Sequence, residues 1–453
     1  MHISVVGLGK LGSPLAAVLA YKGHTVVGVD TNANFVRLIS GGKAPVWEPQ
    51  LQELIDAGRK RLSATADYEM AVLGTDVSFI MVPTPSSGSG GFSNKFVLAA
   101  IEEIGRSLRK KEGYHVVAVT STVMPGSTGG EIREALELHS GRKVGEDVGL
   151  CYNPEFVALG SVIRDLLRPD LILIGESDTR AGDVVEGVYD SVCENTPAVQ
   201  RMNLVNAELT KMALNTFVTV KISYANMLAD ITDRLPGADV DVVTAALGKD
   251  SRIGSKYLKG ALGYGGPCFP RDNMAFGHLA RDLGARADIA EAIDRINRYQ
   301  IERLSNVVQG RLPPGGTVGV LGMSYKPETN VIEESQGVAL AKLLADEGYR
   351  VVIYDPQAMD SAHAVLGDRV TTAQSADACA RTADVLVITV PWEEFRNLRP
   401  EELARSDGRV SVIDCWRILP AERFAKVADL VYLGRGSDYI AARAAENKLR
   451  QLS

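Results

Sequence analysis

The chain has 453 residues, 45% of them apolar and 23% charged, with a formal net charge of −7. That length predicts two or three domains, and that composition a folded globular protein rather than a disordered one. The acidic balance argues against nucleic acid as a partner, so an anionic substrate has to be held by local basic groups.

No apolar run approaches the roughly 20 residues that a membrane helix needs. The opening Met1-His-Ile-Ser-Val-Val-Gly7 enters a strand at once, which leaves no room for a basic signal start. The five cysteines, at 151, 193, 268, 379 and 415, include no CxxC pair and are odd in number. They argue against a disulfide framework and against a zinc site. No metal is expected, and a reducing compartment, most simply the cytoplasm, is the expected address.

In chain order, residues 1 to about 195 alternate short apolar runs with amphipathic segments. Ile3–Val6, Thr25–Val29, Val77–Val82, His115–Thr120 and Leu171–Ile174 read as buried parallel strands. Ser13–Lys22 and Phe96–Lys110 read as helices between them, the βαβ pattern of a doubly wound sheet. Ser86–Gly91 is expected as a flexible loop after a strand end. From about Val205 to Leu235, Glu208, Lys211, Leu214, Asn215 and Val218 recur at helical spacing, and a further helix is expected after Asp272. Arg311-Leu-Pro-Pro-Gly-Gly316 breaks the pattern and marks a boundary. The α/β rhythm then returns with strands at Thr317–Leu321, Val351–Tyr354, Val385–Val390 and Val410–Ile413 and a helix near Val338–Glu347.

Two stretches carry chemistry. Gly7-Leu-Gly9-Lys-Leu11-Gly12 follows the first strand and opens the first helix. Gly7 allows the tight turn, Gly9 lets the backbone approach a pyrophosphate, and Gly12 lets helix and strand pack closely. Asp30 ends the second strand, where an acid bonds ribose hydroxyls and repels a 2′-phosphate, so NAD is favoured over NADP. The second stretch, Gly263-Tyr-Gly-Gly-Pro-Cys268-Phe-Pro-Arg-Asp272, is too glycine-rich to continue a helix and ends in a thiol. That setting favours a reactive cysteine at 268, whereas Cys151, Cys193, Cys379 and Cys415 read as small core residues. Lys211 and Asn215 share a helix face, as solvated polar pairs also do.

The ordered set of motifs resembles the UDP-glucose/GDP-mannose dehydrogenase family over essentially the whole chain. Besides the two stretches above, it comprises Pro45-Val-Trp-Glu48-Pro49, Val82-Pro-Thr84-Pro85, Ser121-Thr122-Val, Asn153-Pro-Glu155-Phe156, Asn206-Ala-Glu208-Leu-Thr-Lys211 with Asn215, Asp250-Ser-Arg252, Tyr325-Lys326-Pro, Tyr354-Asp355-Pro356, Trp392 and Arg417. The resemblance implies two Rossmann-like doubly wound α/β domains joined by a central helical segment. Its parts are an NAD-binding domain at 1–198, a central dimerisation segment with the Cys loop at 199–300, and a nucleotide-sugar domain at 301–453.

The implied reaction is a two-step oxidation of the C6 alcohol of a nucleotide sugar, most simply UDP-glucose, with two NAD⁺. Cys268 forms a thiohemiacetal and then a thioester, which water hydrolyses to the uronate. By the same resemblance, Lys211 and Asn215 stabilise the developing alkoxide, Asp272 holds or activates water, and Thr122 and Glu155 complete the catalytic set. Gly7, Gly9, Leu11, Gly12, Asp30, Thr84, Thr122 and Arg271 take the cofactor. Lys211, Tyr257, Lys259, Gly265, Lys326 and Arg417 take the substrate, and Arg252 reaches into the neighbouring subunit's site, which requires at least a homodimer.

Two departures stand out. Leu159 occupies the place of a second Glu in the family's Asn-Pro-Glu-Phe run, which leaves Glu155, Asp272 or a bound water for thioester hydrolysis, or points to another sugar. Val331 and Glu333 replace an acid and a base in the stretch after Lys326. Three alternatives stay open: action on a UDP-N-acetylhexosamine or GDP-mannose, a two-electron dehydrogenase of the 3-hydroxy acid type, and a catalytically silent binding homologue.

Overall fold

The computed structural model describes residues 1–436 apart from 89 and 407; the end of the expected 301–453 domain lies outside the described residues. The chain divides into two compact units, Met1–Leu214 and Asn215–Ser453, and the division falls inside one continuous helix, Leu204–Asp233.

The first unit holds an eight-stranded sheet of order β3-β2-β1-β4-β5-β6-β7-β8. Its strands are β1 (His2–Val6), β2 (Thr25–Val29), β3 (Leu62–Thr65), β4 (Val77–Ile80), β5 (Val116–Val119), β6 (Gly149–Tyr152), β7 (Leu171–Glu176) and β8 (Ala198–Asn203). Alternating residues feed opposite faces, as the two-residue strand period demands. Ile3, Val5, Val77, Phe79, Val116 and Ala118 join one core, and Val6, Ile80, Val117 and Val119 join the other. The helix Gly12–Tyr21 covers the first face and Lys95–Leu108 the second, so the sheet is wound on both sides.

One expectation is corrected. Leu171–Ile174 was expected as a parallel strand, but β7 runs antiparallel to β6, pairing Cys151 with Glu176 and Tyr152 with Gly175, and is parallel only to β8. The connection from β6 to β7 carries a loop through Asn153–Ser161 and only a six-residue helix, Val162–Leu167. With no full crossover helix, the chain returns beside β6 in the opposite direction. The Ser86–Gly91 stretch is also more ordered at its base than a flexible loop: Ser86 bridges Phe92, and Ser87 N–H donates to Gly91 O at 2.7 Å.

The second unit holds a six-stranded parallel sheet of order β11-β10-β9-β12-β13-β14. These are β9 (Thr317–Leu321), β10 (Arg350–Tyr354), β11 (Thr371–Thr372), β12 (Val385–Ile388), β13 (Val410–Asp414) and β14 (Ala428–Tyr432). Both sheets place their first strand beside their fourth, so each has a topological switch point where a doubly wound fold opens a crevice at the strand ends. The turns after β1 and β9 also match. Gly7 N–H donates to Val29 O and Gly322 N–H to Tyr354 O, each at 2.8 Å. Ahead of the second sheet lie the remainder of the long helix and the helices Val240–Leu247, Phe269–Asp282 and Asp288–Gln309.

Candidate active site

In the first unit the glycine turn sits at the switch point between β1 and β4. Gly7 has φ +96°, and a Cβ there would lie 2.4 Å from Met81 O. A Cβ on Gly12 would lie 1.8 Å from Gly7 O, so helix and turn touch through bare backbone. A Cβ on Gly9 would meet nothing within 4 Å, which leaves open space beside the helix start, as a pyrophosphate cradle requires. Leu11 is the N-cap position of that helix. Asp30 accepts Leu8 N–H at 2.6 Å on Oδ2 and Asn32 N–H at 2.7 Å on Oδ1. It therefore braces the turn, and each oxygen keeps a lone pair for a ribose hydroxyl. Thr84 and Thr122 follow β4 and β5 and are joined, Thr84 Oγ1 donating to Thr122 O at 2.7 Å. The residues present fit NAD.

The loop after β6 holds a buried polar cluster. Lys211, 7% exposed, donates from Nζ to Glu155 O at 2.5 Å and lies 4.5 Å from the centre of the Phe156 ring. Tyr189 Oη lies 2.7 Å from Glu155 Oε1 and 2.8 Å from Asn153 Oδ1. Burial pushes the Glu155 carboxyl up, against the Tyr189 hydrogen bond and the Lys211 charge. Leu159 packs against the apolar core, and the loop beyond it is held by Glu48, which accepts Gly160 N–H at 2.9 Å and Val162 N–H at 2.8 Å. Tyr189, an aromatic on an ordinary amphipathic helix, carries no sequence signal for these contacts, and nothing local marks Glu48 as the residue that holds the loop.

In the second unit Cys268 is exposed and is the N-cap residue of the helix Phe269–Asp282. A helix N-terminus favours thiolate over thiol. Asp272, fully buried, accepts Asn215 Nδ2 at 2.7 Å on Oδ2 and Arg271 Nε and Nη2 at 3.0 and 2.9 Å on Oδ1. The carboxylate therefore orients Asn215 and ties down Arg271, the residue expected at the cofactor. Cys151, Cys379 and Cys415 are buried and Cys193 half-buried; burial pushes the Cys193 thiol up to about 11 and Cys379 up to about 12.

The expected substrate residues fare differently. Lys326 stands 5.9 Å from the Tyr325 ring centre. Gly265 lies where a Cβ would come 2.3 Å from Glu334 O, and exposed Tyr257 stacks edge-on against Phe269 at 6.2 Å. Lys259 is exposed. Arg252 is exposed and pairs with its own neighbour Asp250 at 2.7 Å. Arg417, expected at the nucleotide, is engaged within its own chain. Its side chain is 1% exposed, and its five N–H groups go to Asp241, Gly260 O, Cys415 O and Leu433 O. It fastens the helical segment to the end of the second sheet. Val331 is buried, and Glu333 O accepts Gly266 N–H at 2.9 Å, so the atypical stretch after Lys326 packs on the Cys loop.

Among the described residues no helix is long and apolar enough to cross a membrane, and no cluster of side chains suits a metal. Sequence models of the UDP-glucose/GDP-mannose dehydrogenase family match three times: the NAD binding domain at residues 1–193, the central domain at 205–299 and the UDP binding domain at 319–421. A UDP-glucose 6-dehydrogenase of Haloferax volcanii is 36% identical over 88% of this chain and 94% of its own length. Another, of Rhizobium meliloti, is 34% identical over 94% of this chain and 97% of its own. The solved structure of a UDP-glucose dehydrogenase from Pyrobaculum islandicum superposes with a TM-score of 0.85 at 36% identity, covering 95% of this chain and 96% of that one. The chain thus belongs to the UDP-glucose/GDP-mannose dehydrogenase family and is an NAD-dependent nucleotide-sugar dehydrogenase.

Proposed function

We propose that the protein oxidises the C6 alcohol of UDP-glucose to the uronate, with Cys268 as covalent nucleophile. The observation that carries this is an exposed cysteine at the N-cap position of a helix, one turn from the buried Asn215–Asp272 pair. The full-length relatives named above, both UDP-glucose 6-dehydrogenases, support the choice of sugar nucleotide.

Bound NAD⁺ supplies the hydride acceptor, one per step; Gly7, Gly9, Leu11, Gly12, Asp30, Thr84 and Thr122 hold it. Lys211 and Asn215 place positive charge and a hydrogen-bond donor where the alkoxide develops. Cys268 Sγ adds to the aldehyde carbon, and the resulting thiohemiacetal loses the second hydride to become a thioester. Water then cleaves the C–S bond, returning the thiolate and releasing the acid. Asp272 keeps Asn215 aimed. Glu155, whose carboxyl is raised by burial, takes the proton from that water, the duty that Leu159 cannot perform. Lys326, Tyr257, Lys259 and Gly265 serve the nucleotide sugar.

The parts act as 1–198 for the cofactor, 199–300 for the thiol and dimer contact, and 301–453 for the nucleotide. A homodimer is supported by exposed Phe217, Tyr224, Met227 and Ile231 along the long helix, with Arg252 reaching the partner's site. The five free cysteines fit a reducing compartment, the cytoplasm.

The test is stoichiometry. UDP-glucose is expected to yield two NADH per uronate and to outrun GDP-mannose and UDP-N-acetylhexosamines in kcat/KM. Cys268→Ser is expected to lower acid release by about a thousandfold. Acid release at the normal rate from that variant would rule out the thioester route, and faster turnover of another sugar would reassign the substrate.

A further inference from the structure

The loop that carries Cys268 has a buried stalk and an exposed tip. Residues 260–266 are buried apart from half-buried Gly263, and Pro267 and Cys268 emerge at the surface. The stalk has no strand partner and four glycines, so by composition it is among the most mobile kinds of backbone. Arg417 holds Gly260 O at one end and Glu333 O takes Gly266 N–H at the other, and between them the peptide groups of Ala261, Leu262 and Tyr264 are paired by two side-chain amides from neighbouring helices. Asn226, on the long helix and 1% exposed, accepts Ala261 N–H at 2.8 Å on Oδ1 and donates from Nδ2 to Leu262 O at 2.7 Å. Asn297, on the helix Asp288–Gln309, accepts Tyr264 N–H at 2.7 Å and donates to Tyr264 O at 3.0 Å. Each amide therefore presents one acceptor and one donor to backbone, as a ladder strand would, and the backbone partners fix which way it faces.

The glycines make room for this arrangement. A Cβ on Gly260 would lie 2.4 Å from Ala225 O of the long helix, and one on Gly263 would lie 2.5 Å from Asn297 Oδ1. Mid-helix asparagine works against helix propensity, so neither residue is there to make its helix. Asn226 lies three turns beyond Asn215 and so on the same helix face. One face of one helix thus carries both the amide that Asp272 aims and the amide that holds the stalk.

We infer that Asn226 and Asn297 are positioning residues for the Cys268 thiol, acting on the second oxidation and leaving the first largely untouched. The first hydride transfer needs no sulfur; the second needs Sγ bonded to the aldehyde carbon. This division rests on the proposed function, whereas the thiol's placement does not.

The test uses the full chain with Asn297→Ala and, separately, Asn226→Ala. At saturating nucleotide sugar, which offsets any loosening at Gly265 on the same stalk, alcohol oxidation in a single turnover is expected to stay within about threefold of the wild type, while acid release falls at least about tenfold, since each variant removes both hydrogen bonds of its amide to the buried stalk. Alkylation of Cys268 by iodoacetamide without substrate, followed by peptide mass analysis, is expected to slow several-fold as the thiol leaves its helix N-terminus. If Asn297→Ala is not recovered folded, Asn297→Asp, which keeps the acceptor and loses the donor, is read in the same way. Equal loss of both oxidation steps, or no change in acid release and alkylation, overturns the inference. If the wild type makes no uronate from any nucleotide sugar, the proposed reaction fails, and the alkylation rates alone decide on the clamp.

Discussion

Gly9 and Gly12 are the same residue type two steps apart in function. Gly12 is required by the protein itself, because its Cβ would overlap Gly7 O at 1.8 Å. Gly9 is not required by packing, because its Cβ would meet no protein atom within 4 Å, and that space is what the proposed NAD⁺ contact uses. Gly12→Ala is expected to cost about 1–3 kcal/mol of stability as well as NAD⁺ binding. Gly9→Ala is expected to leave the unfolding midpoint unchanged and to weaken NAD⁺ at least about tenfold, roughly 1.4 kcal/mol. Urea unfolding and calorimetric titration separate the two; equal effects on folding would remove the distinction. Leu159 makes the complementary point: half-buried, it packs against the apolar core, so the side chain at this position serves packing.

At the scale of elements, the long helix works through one face and the end of the second sheet through one arginine. Arg417 adopts φ +57°, unusual for a residue with a Cβ, and all its donors are engaged. Removing it leaves Asp241 and three carbonyls without their donor. Because the Asp241 side chain is 38% exposed, water offsets part of that loss, and Arg417→Ala is expected to lower the unfolding free energy by about 2–3 kcal/mol. Arg417→Lys should recover little of it, since an ammonium cannot reproduce the five-donor fork. Unchanged stability with a large fall in UDP affinity would instead restore the nucleotide contact suggested by the sequence.

The whole molecule carries a pH dependence and an expected assembly. His115 is fully buried, with ring nitrogens 2.8 Å from Ser78 Oγ and 3.1 Å from Thr75 O. Burial is the main cause that holds it at about 3, below the ordinary 6.5. A depressed histidine stabilises the fold above its unfolded value, and that stability is lost as pH falls from about 6.5 toward 3. Unfolding free energy should therefore drop by up to about 1.4 kcal/mol per pH unit over that window, and His115→Gln should flatten the slope. A slope of the opposite sign would show that the imidazole is charged in the folded protein. Light scattering is expected to report a dimer or a multiple of it, shifted toward monomer by Phe217→Asp with Ile231→Asp on the exposed helix face. A wild-type monomer would remove the proposed role of Arg252.

Period and punctuation alone carried the α/β class, the glycine turn with Asp30, the long helix and the Cys268 loop, because each is a local pattern of backbone need and burial. β1, β2 and β9 were legible as apolar runs, whereas β3 and β8 are partly exposed edge strands with little such signal. The reversal of β7 was hidden, since strand direction depends on where a connection lands and not on the strand's own residues. Side-chain roles were legible only as far as residue type allows. A cysteine after glycines reads as reactive, but whether an arginine meets a nucleotide or four groups of its own chain is decided by what folding brings beside it, as with Arg417. Tyr189, Asn226 and Asn297 likewise have partners distant in sequence, and no local pattern marks them. Sequence by itself determined which groups exist and which elements carry them; tertiary structure decided which are occupied with one another, because hydrogen bonds are made between neighbours in space.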